Sequence, residues 1–276
     1  MTLARQVQLG PCRVFLETDS RDVHEQLRYL DHDAVQPVPA TTELELGAWE
    51  EDGSFRLVRD GRPMGRVSRP EDVLDHFYAM AYRDAFAAMA AGTLLLHGVT
   101  VTRRGRRALL VGQQHAGKST LAARLLIDGF EVSGDEYAVL ADERLAAFPR
   151  RFHLKSRSLV LLPQLAEIVP TLPFFDTSSG RIVALGPTDL GLPWVLDPGP
   201  VDVIVVLEAN HGGPSTLSCL PQYELVRVLM TQTFTPDPFP RGWIASLSHL
   251  VGSATCGRMA VGDLNTAVVA VETLLG

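Results

Sequence analysis

An α/β domain built around a glycine-rich turn, preceded by a small α+β unit, is the architecture this sequence predicts. Three observations lead there. An apolar run, Ala108-Leu109-Leu110-Val111, enters Gly112-Gln113-Gln114-His115-Ala116-Gly117-Lys118-Ser119, and a helical pattern with Leu121, Leu125 and Leu126 on one face follows it. Downstream, a buried-strand run such as Val203-Ile204-Val205-Val206-Leu207 alternates with helical patterns. Upstream, from Val7 to Val67, the patterns are short and strand-like. The boundary this suggests leaves residues 1–67 as an accessory α+β domain and 68–276 as the larger domain.

Composition narrows the functional classes. A chain of 276 residues with 46% hydrophobic content can bury a substantial core. Its formal charge of −7 argues against a general nucleic-acid binder, whose affinity comes from neutralising phosphates. The basic run Arg103-Arg104-Gly105-Arg106-Arg107 reads instead as a solvated hairpin turn. Cys12, Cys219 and Cys256 are few and scattered, which fits a reduced, cytoplasmic protein better than a disulfide framework. The start of the chain lacks a continuous apolar segment and no later run is long enough to cross a bilayer, so no membrane association is expected.

In chain order, strand patterns occur at Arg13–Glu17, Thr42–Leu46, Phe55–Val58 and Gly65–Val67, with Asp60-Gly61 as a hairpin turn and a short helix from Asp22 to Tyr29. Ser68-Arg69-Pro70-Glu71-Asp72 reads as a helix start with Ser68 as the cap, and the helix should run to Ala91 and stop at Gly92. Val73, Phe77, Met80, Ala81, Phe86 and Met89 recur along it at core-facing spacing. Thr93 to Val101 is a strand pattern whose partner is the strand entering the glycine-rich turn. After that helix, Phe130-Glu131-Val132 is a short strand delivering Asp135 and Glu136, and a hairpin through Asp142-Glu143 follows. Pro149 to Lys155 is a basic segment without helical period; its closeness to the acidic pair gives Arg150 and Lys155 a candidate role toward phosphate or substrate. Pro163 to Pro200 is rich in Pro and Gly and reads as long loops, with turns at Thr177-Ser178-Ser179-Gly180 and Asp197-Pro198-Gly199-Pro200. Helices are expected at Tyr223–Met230, Trp243–Val251 and Asn265–Leu275, with a strand at Cys256–Val261.

The glycine-rich turn carries the chemistry. Gly112 and Gly117 permit a tight turn whose backbone N–H groups point inward at phosphate oxygens, and the helix that follows offers its positive end to the same anion. Lys118 can reach the β- and γ-phosphates, and the Ser119 hydroxyl is placed to ligate Mg²⁺. The expected nucleotide contacts are Gly112, His115, Ala116, Gly117, Lys118, Ser119 and Thr120. Two adjacent acids, Asp135 and Glu136, would repel each other beside a bound triphosphate unless a metal lay with them, so the pair points to Mg²⁺ on Ser119, Asp135 and Glu136.

From about His97 onward the chain resembles the catalytic domain of the HPr kinase/phosphorylase family and the related HPr-kinase-like serine kinases, some of which accompany peptide-modification pathways. The resemblance rests on His97-Gly98 upstream of Gly112, on the loop itself, on the acidic pair that follows it, and on the Ala147-to-Lys155 segment. It implies a P-loop kinase domain with a mixed central sheet, ATP and Mg²⁺ as cofactors, and a homo-oligomer. It also implies that Asp135 accepts the proton of the attacking hydroxyl, that Lys118 binds phosphate, and that His97 sits near the γ-phosphate. Glu136 stands where the family has a second aspartate. The glycine-rich signature that bifunctional HPr kinases carry after their carboxylates is missing, which argues against phosphorylase activity and against HPr as the substrate.

Three readings follow. The first is an ATP-dependent kinase acting on the hydroxyl of a peptide, protein or small molecule, in which a positioned carboxylate takes the acceptor's proton and fixed cations stabilise the transferring group. The second is a P-loop NTPase with Glu208, at the end of the Val203–Leu207 strand, on the metal side. The third is a nucleotide-sensing interaction protein without a chemical product.

Overall fold

The computed structural model describes residues 1–177, 180–234 and 241–276. Alternating burial builds the first sheet. It contains β1 (Leu3–Leu9), β2 (Cys12–Thr18), β3 (Thr42–Glu51), β4 (Ser54–Arg59) and β5 (Arg62–Val67), side by side in that order. Neighbours are antiparallel except β2 and β3, whose parallel pairing needs a crossover. The crossover starts with α1 (Arg21–Gln26), which seats Val23 in the core.

Next comes α2 (Pro70–Ala87), with Pro70 at its first position and Glu71 and Asp72 in its first turn. Arg69, not Ser68, occupies the cap position, and no side chain caps the helix. The helix also ends earlier than Ala91, with Gly92 at φ 90° in the turn beyond it. Val73, Leu74, Phe77, Met80 and Ala81 pack with Val14, Leu16, Leu44 and Leu46 of the first sheet. By packing, then, α2 lies with the first sheet, across the boundary that the sequence suggests at residue 67.

The remaining elements are β6 (Leu94–Arg103), β7 (Arg106–Gly112), α3 (Lys118–Ile127), β8 (Glu131–Val132), β9 (Tyr137–Ala141), β10 (Arg144–Ala147), β11 (Phe152–Lys155), α4 (Ser156–Val160), β12 (Phe174–Thr177) and β13 (Gly180–Leu185). They continue with β14 (Val203–Ala209), β15 (Thr216–Cys219), α5 (Gln222–Gln232), β16 (Thr233–Phe234), α6 (Trp243–Gly252), β17 (Thr255–Val261) and α7 (Leu264–Leu275). The large sheet runs β10-β9-β6-β7-β14-β17-β15, with β8 and β16 also pairing β6. It is mixed: β14 is parallel to β7 and β17, and the other pairings are antiparallel. One face packs Val99, Leu110, Val205 and Leu207 against α3 and α7. The other packs Leu96, Leu109, Ile204 and Val206 against α5 and α6. The basic turn Arg104-Gly105 joins β6 to β7, both residues at positive φ. Among the described residues no helix is long and apolar enough to cross a membrane, and Cys12, Cys219 and Cys256 are all free thiols.

The Pro163-to-Pro200 stretch is more ordered than its composition suggests. β12 and β13 form a hairpin that pairs with β11 into a third, three-stranded sheet. Ser178 and Ser179 of the expected turn lie outside the described residues, while Thr177 and Gly180 face each other across it. Pro and Gly mark where strands end, and between them Ile182, Val183, Ala184 and Leu185 still supply an apolar run.

Phe148, 2% exposed, leaves the end of β10 and enters the core beneath the first sheet, where its ring closes over Gly10. Phe148→Ala is expected to destabilise the protein by about 3–5 kcal/mol, read as a lower urea midpoint. An unchanged midpoint would show that the two sheets do not share this core.

Candidate functional site

β7 and β14 run parallel, with Leu207 opposite Gly112, so the glycine-rich turn leaves the sheet at the carboxyl end of a central strand. His115 and Gly117 adopt positive φ (69° and 92°), and the Ala116 N–H donates to the Gln113 carbonyl at 3.2 Å. Gly117 carries this left-handed conformation without strain and hands the chain to α3. Helix α3 has no side-chain cap, which leaves the N–H groups of its first turn for an anion. The Lys118 ammonium, buried at 7% exposure, donates to the carbonyls of Gly112 (2.7 Å) and Gln113 (3.0 Å). Burial lowers its pKa, against the opposing fields of Asp135 and Glu136. Thr120 is turned toward α4, its hydroxyl 2.8 Å from that of Ser158.

Asp135 reaches the loop because β8 pairs with β6 and the chain then turns sharply at Gly134 (φ 85°), where a Cβ would collide with the Phe148 carbonyl oxygen. The Ser119 hydroxyl donates to Asp135, at 2.9 Å from each carboxylate oxygen. The backbone N–H of His153 donates to Oδ2 at 3.2 Å. Burial raises the pKa of Asp135, which is 2% exposed, and the Arg150 guanidinium works against that rise. Glu136, at φ 74°, turns the other way: its carboxylate lies 2.6 Å from Arg150 Nη1 and 3.7 Å from His97 Nε2. The acidic pair is therefore divided, with Asp135 on the loop and Glu136 on the His97 side.

Arg150 holds the two together. Its Nη1 lies 3.5 Å from Asp135 and 2.6 Å from Glu136. Its Nε donates to the Tyr78 hydroxyl, and its Nη2 donates to His153 Nδ1 at 2.7 Å. The guanidinium lies 5.6 Å and 5.4 Å from the ring centroids of Tyr78 and Tyr137. Burial alone would lower its pKa, but Tyr78, Glu136 and Asp135 keep it well above the ordinary arginine value. His153 is pushed well below its ordinary value by burial and by Arg150. The basic segment is thus a buried strand entry: Arg150 is consumed by the acidic pair, while Lys155 is exposed at the end of β11.

His97 sits where β6 changes partner, from β9 (Leu94–His97) to β7 (Gly98–Arg103). Its Nδ1 lies 3.1 Å from Gln232 Oε1, so the ring N–H donates to the amide oxygen and Nε2 faces Glu136. Burial lowers the His97 pKa, and the nearby Lys118 charge lowers it further. His97, Glu136, Tyr137, Gln232 and Phe234 line a solvent-open cavity of about 330 Å³. Glu208 is elsewhere: it is exposed, on the sheet face turned to α5, and pairs with Arg258 at 3.2 Å, which in turn pairs with Glu224 of α5.

Among the described residues no three His, Cys, Asp or Glu side chains converge as a metal cage. A hydroxyl and a carboxylate in contact, as at Ser119 and Asp135, are instead a partial oxygen set of the kind a hard cation completes with phosphate and water.

No family model and no curated protein matches the sequence. Among solved structures, the chain is similar to the Hpr(Ser) kinase/phosphatase from Coxiella burnetii at 12% identity, over 66% of this chain and 93% of that one, with a TM-score of 0.31.

The sequence brings Lys118, Ser119, Asp135, Glu136 and His97 to attention but passes over Tyr78, His153 and Gln232. Tyr78, Tyr82 and Phe86 recur every four residues along α2, a second stripe beside the core-facing one, and this was the signal available. Arg150→Met is expected to destabilise the protein by about 3 kcal/mol at neutral pH, because it leaves a buried carboxylate without its cation. Losing the cation raises the Asp135 pKa further above its unfolded value. The native state then binds protons that the unfolded state releases, so the deficit shrinks as pH falls from 7 toward 4. Denaturant melts at both pH values check this; an equal deficit at both would contradict the assignment.

Proposed function

We propose that this chain binds ATP with Mg²⁺ and transfers the γ-phosphoryl group to a hydroxyl acceptor. The observation that carries the reading is the Ser119–Asp135 contact, which sets a buried carboxylate beside the hydroxyl that closes the glycine-rich loop. In this reading Gly112, His115, Ala116 and Gly117 shape the loop, Thr120 stands in the first turn of the helix that follows, and the amides of loop and turn receive the phosphate oxygens. Lys118, which now rests on the loop's own carbonyls, exchanges them for the β- and γ-phosphates. Ser119 and Asp135 would hold Mg²⁺, which supplies neutralisation of charge on the bridging and transferring oxygens.

The two acids divide the remaining work. Asp135 has both oxygens on the loop side, whereas Glu136 faces the open cavity next to His97. The role of base, expected of Asp135 from the resemblance, falls in this reading to Glu136, and Asp135 serves the metal side. Arg150 pairs with both carboxylates and offsets their mutual repulsion from behind the cavity. Glu208, neutralised by Arg258 on the opposite sheet face, takes no part.

Single substitutions separate these roles. Lys118→Ala and Asp135→Asn are each expected to weaken Mg²⁺-dependent ATP binding about tenfold or more, measured by calorimetry with and without Mg²⁺. Glu136→Gln should bind ATP within about twofold of wild type yet lose about 10²–10³ in transfer rate. Glu208→Gln should change neither. Wild-type Mg²⁺-dependent ATP affinity in the Asp135→Asn variant would refute the reading.

A further inference from the structure

The cavity beside the acidic pair is small and open, and its described lining holds no cation. Its described walls come from His97, Glu136, Tyr137 and the run Thr231 to Phe234, with no Lys or Arg among them. The two nearest cations are already committed: Arg150 lies behind Glu136 and is buried, and Lys118 points into the loop. At about 330 Å³ the cavity stands at the low end for small-molecule sites, enough for one residue-sized group. One wall is polar, built from Glu136, His97 and the Gln232 amide that holds the imidazole. The other is aromatic, with the Tyr137 and Phe234 rings 5.5 Å apart in a T-shaped arrangement that Phe86 extends. Gly98, the residue after His97, stands in register with Val111, the residue before Gly112, so this space lies close to the start of the glycine-rich loop.

Resting on the kinase reading above, we propose that this cavity is the acceptor subsite, that it takes an uncharged or cationic hydroxyl-bearing group, and that Gln232 and Phe234 set its specificity. Arg150 is already taken up by Glu136 and Asp135, so an anionic acceptor would meet an incoming triphosphate with no further cation in the described wall to offset the two, and it is rejected by like-charge repulsion. A neutral hydroxyl group packs its carbon frame on Phe234 and Tyr137 and directs its oxygen toward Glu136. In the transfer step the acceptor oxygen forms a bond to the γ-phosphorus and the bond from phosphorus to the β–γ bridging oxygen breaks. That electron pair leaves with ADP, and the hydroxyl proton goes to Glu136. Gln232 is a positioning residue that acts through His97 on the polar wall. Phe234 contributes contact surface.

The experiment uses the full chain with γ-labelled ATP, Mg²⁺ and four acceptors: serine hexapeptides flanked by alanine, by lysine or by glutamate, and free N-acetylserinamide. The alanine- and lysine-flanked peptides should be phosphorylated with kcat/KM at least about tenfold above the glutamate-flanked one. A comparable rate with N-acetylserinamide identifies a free small alcohol as the source of the hydroxyl, and a much lower one identifies a peptide; either supports the subsite. Gln232→Ala and Phe234→Leu should each lower kcat/KM for the acceptor about tenfold while ATP affinity stays at the wild-type value. Equal or better transfer to the glutamate-flanked peptide overturns the proposal, as do unaffected kinetics in both variants. ATP binding without transfer to any of the four also overturns it. Absence of ATP binding by the wild-type chain would instead overturn the kinase reading beneath it.

Discussion

One buried guanidinium decides whether this site can exist. Asp135 and Glu136 are adjacent in sequence, and the buried Asp135 carboxylate feels both the cost of burial and the field of its neighbour, so a fixed positive charge beside it is required to offset them. Arg150 supplies it, with Nη1 reaching both acids and the other nitrogens engaged by Tyr78 and His153. A planar fork with donors in several directions can do this, whereas a lysine would offer one compact charge. With Arg150 and Lys118 against Asp135 and Glu136, the site is balanced before any ligand arrives. A triphosphate would therefore need to bring its own counter-cation, which is the physical reason to expect Mg²⁺ with it.

The arrangement ties the first sheet to the candidate site. Tyr78 comes from α2, a helix whose core-facing stripe packs on that sheet and whose aromatic stripe turns toward Arg150. Tyr82, Phe86, Tyr137, Phe148 and Phe234 continue the contact, so rings from the sheet-backed helix meet those on β9, at the end of β10 and on β16. An accessory unit could have been a cap that touches nothing of consequence. Here its helix lies one hydrogen bond from the residue that pairs with both carboxylates.

What the sequence disclosed follows from how local each requirement is. The loop from Gly112 to Ser119 was legible because its backbone conformation and its lysine contacts lie within eight consecutive residues. The hairpins through Arg104-Gly105 and Asp142-Glu143 were legible for the same reason, since positive φ is set by the turn residues themselves. The contact between Ser119 and Asp135 spans sixteen residues and was foreseeable as a strand returning beside the loop. Arg150 drew notice only as part of a basic segment, because nothing local distinguishes a cation that will be buried from one that will be solvated. Its partner Tyr78 lies seventy-two residues away and Gln232 lies a hundred and thirty-five residues from His97, so neither pairing leaves a mark on the local pattern. The hairpin of β12 and β13 was obscured by composition, since Pro and Gly at strand ends look like the signature of a loop.

The most direct test of the account is a crystal structure of this chain with Mg²⁺ and a non-hydrolysable ATP analogue. Phosphate oxygens are expected on the amides of residues 113–119, with the Lys118 ammonium moved from the Gly112 carbonyl onto the β- and γ-phosphates and a metal ion held by Ser119 and Asp135. A nucleotide bound elsewhere, with Lys118 still on the Gly112 carbonyl and Ser119 still closed onto Asp135, would contradict it.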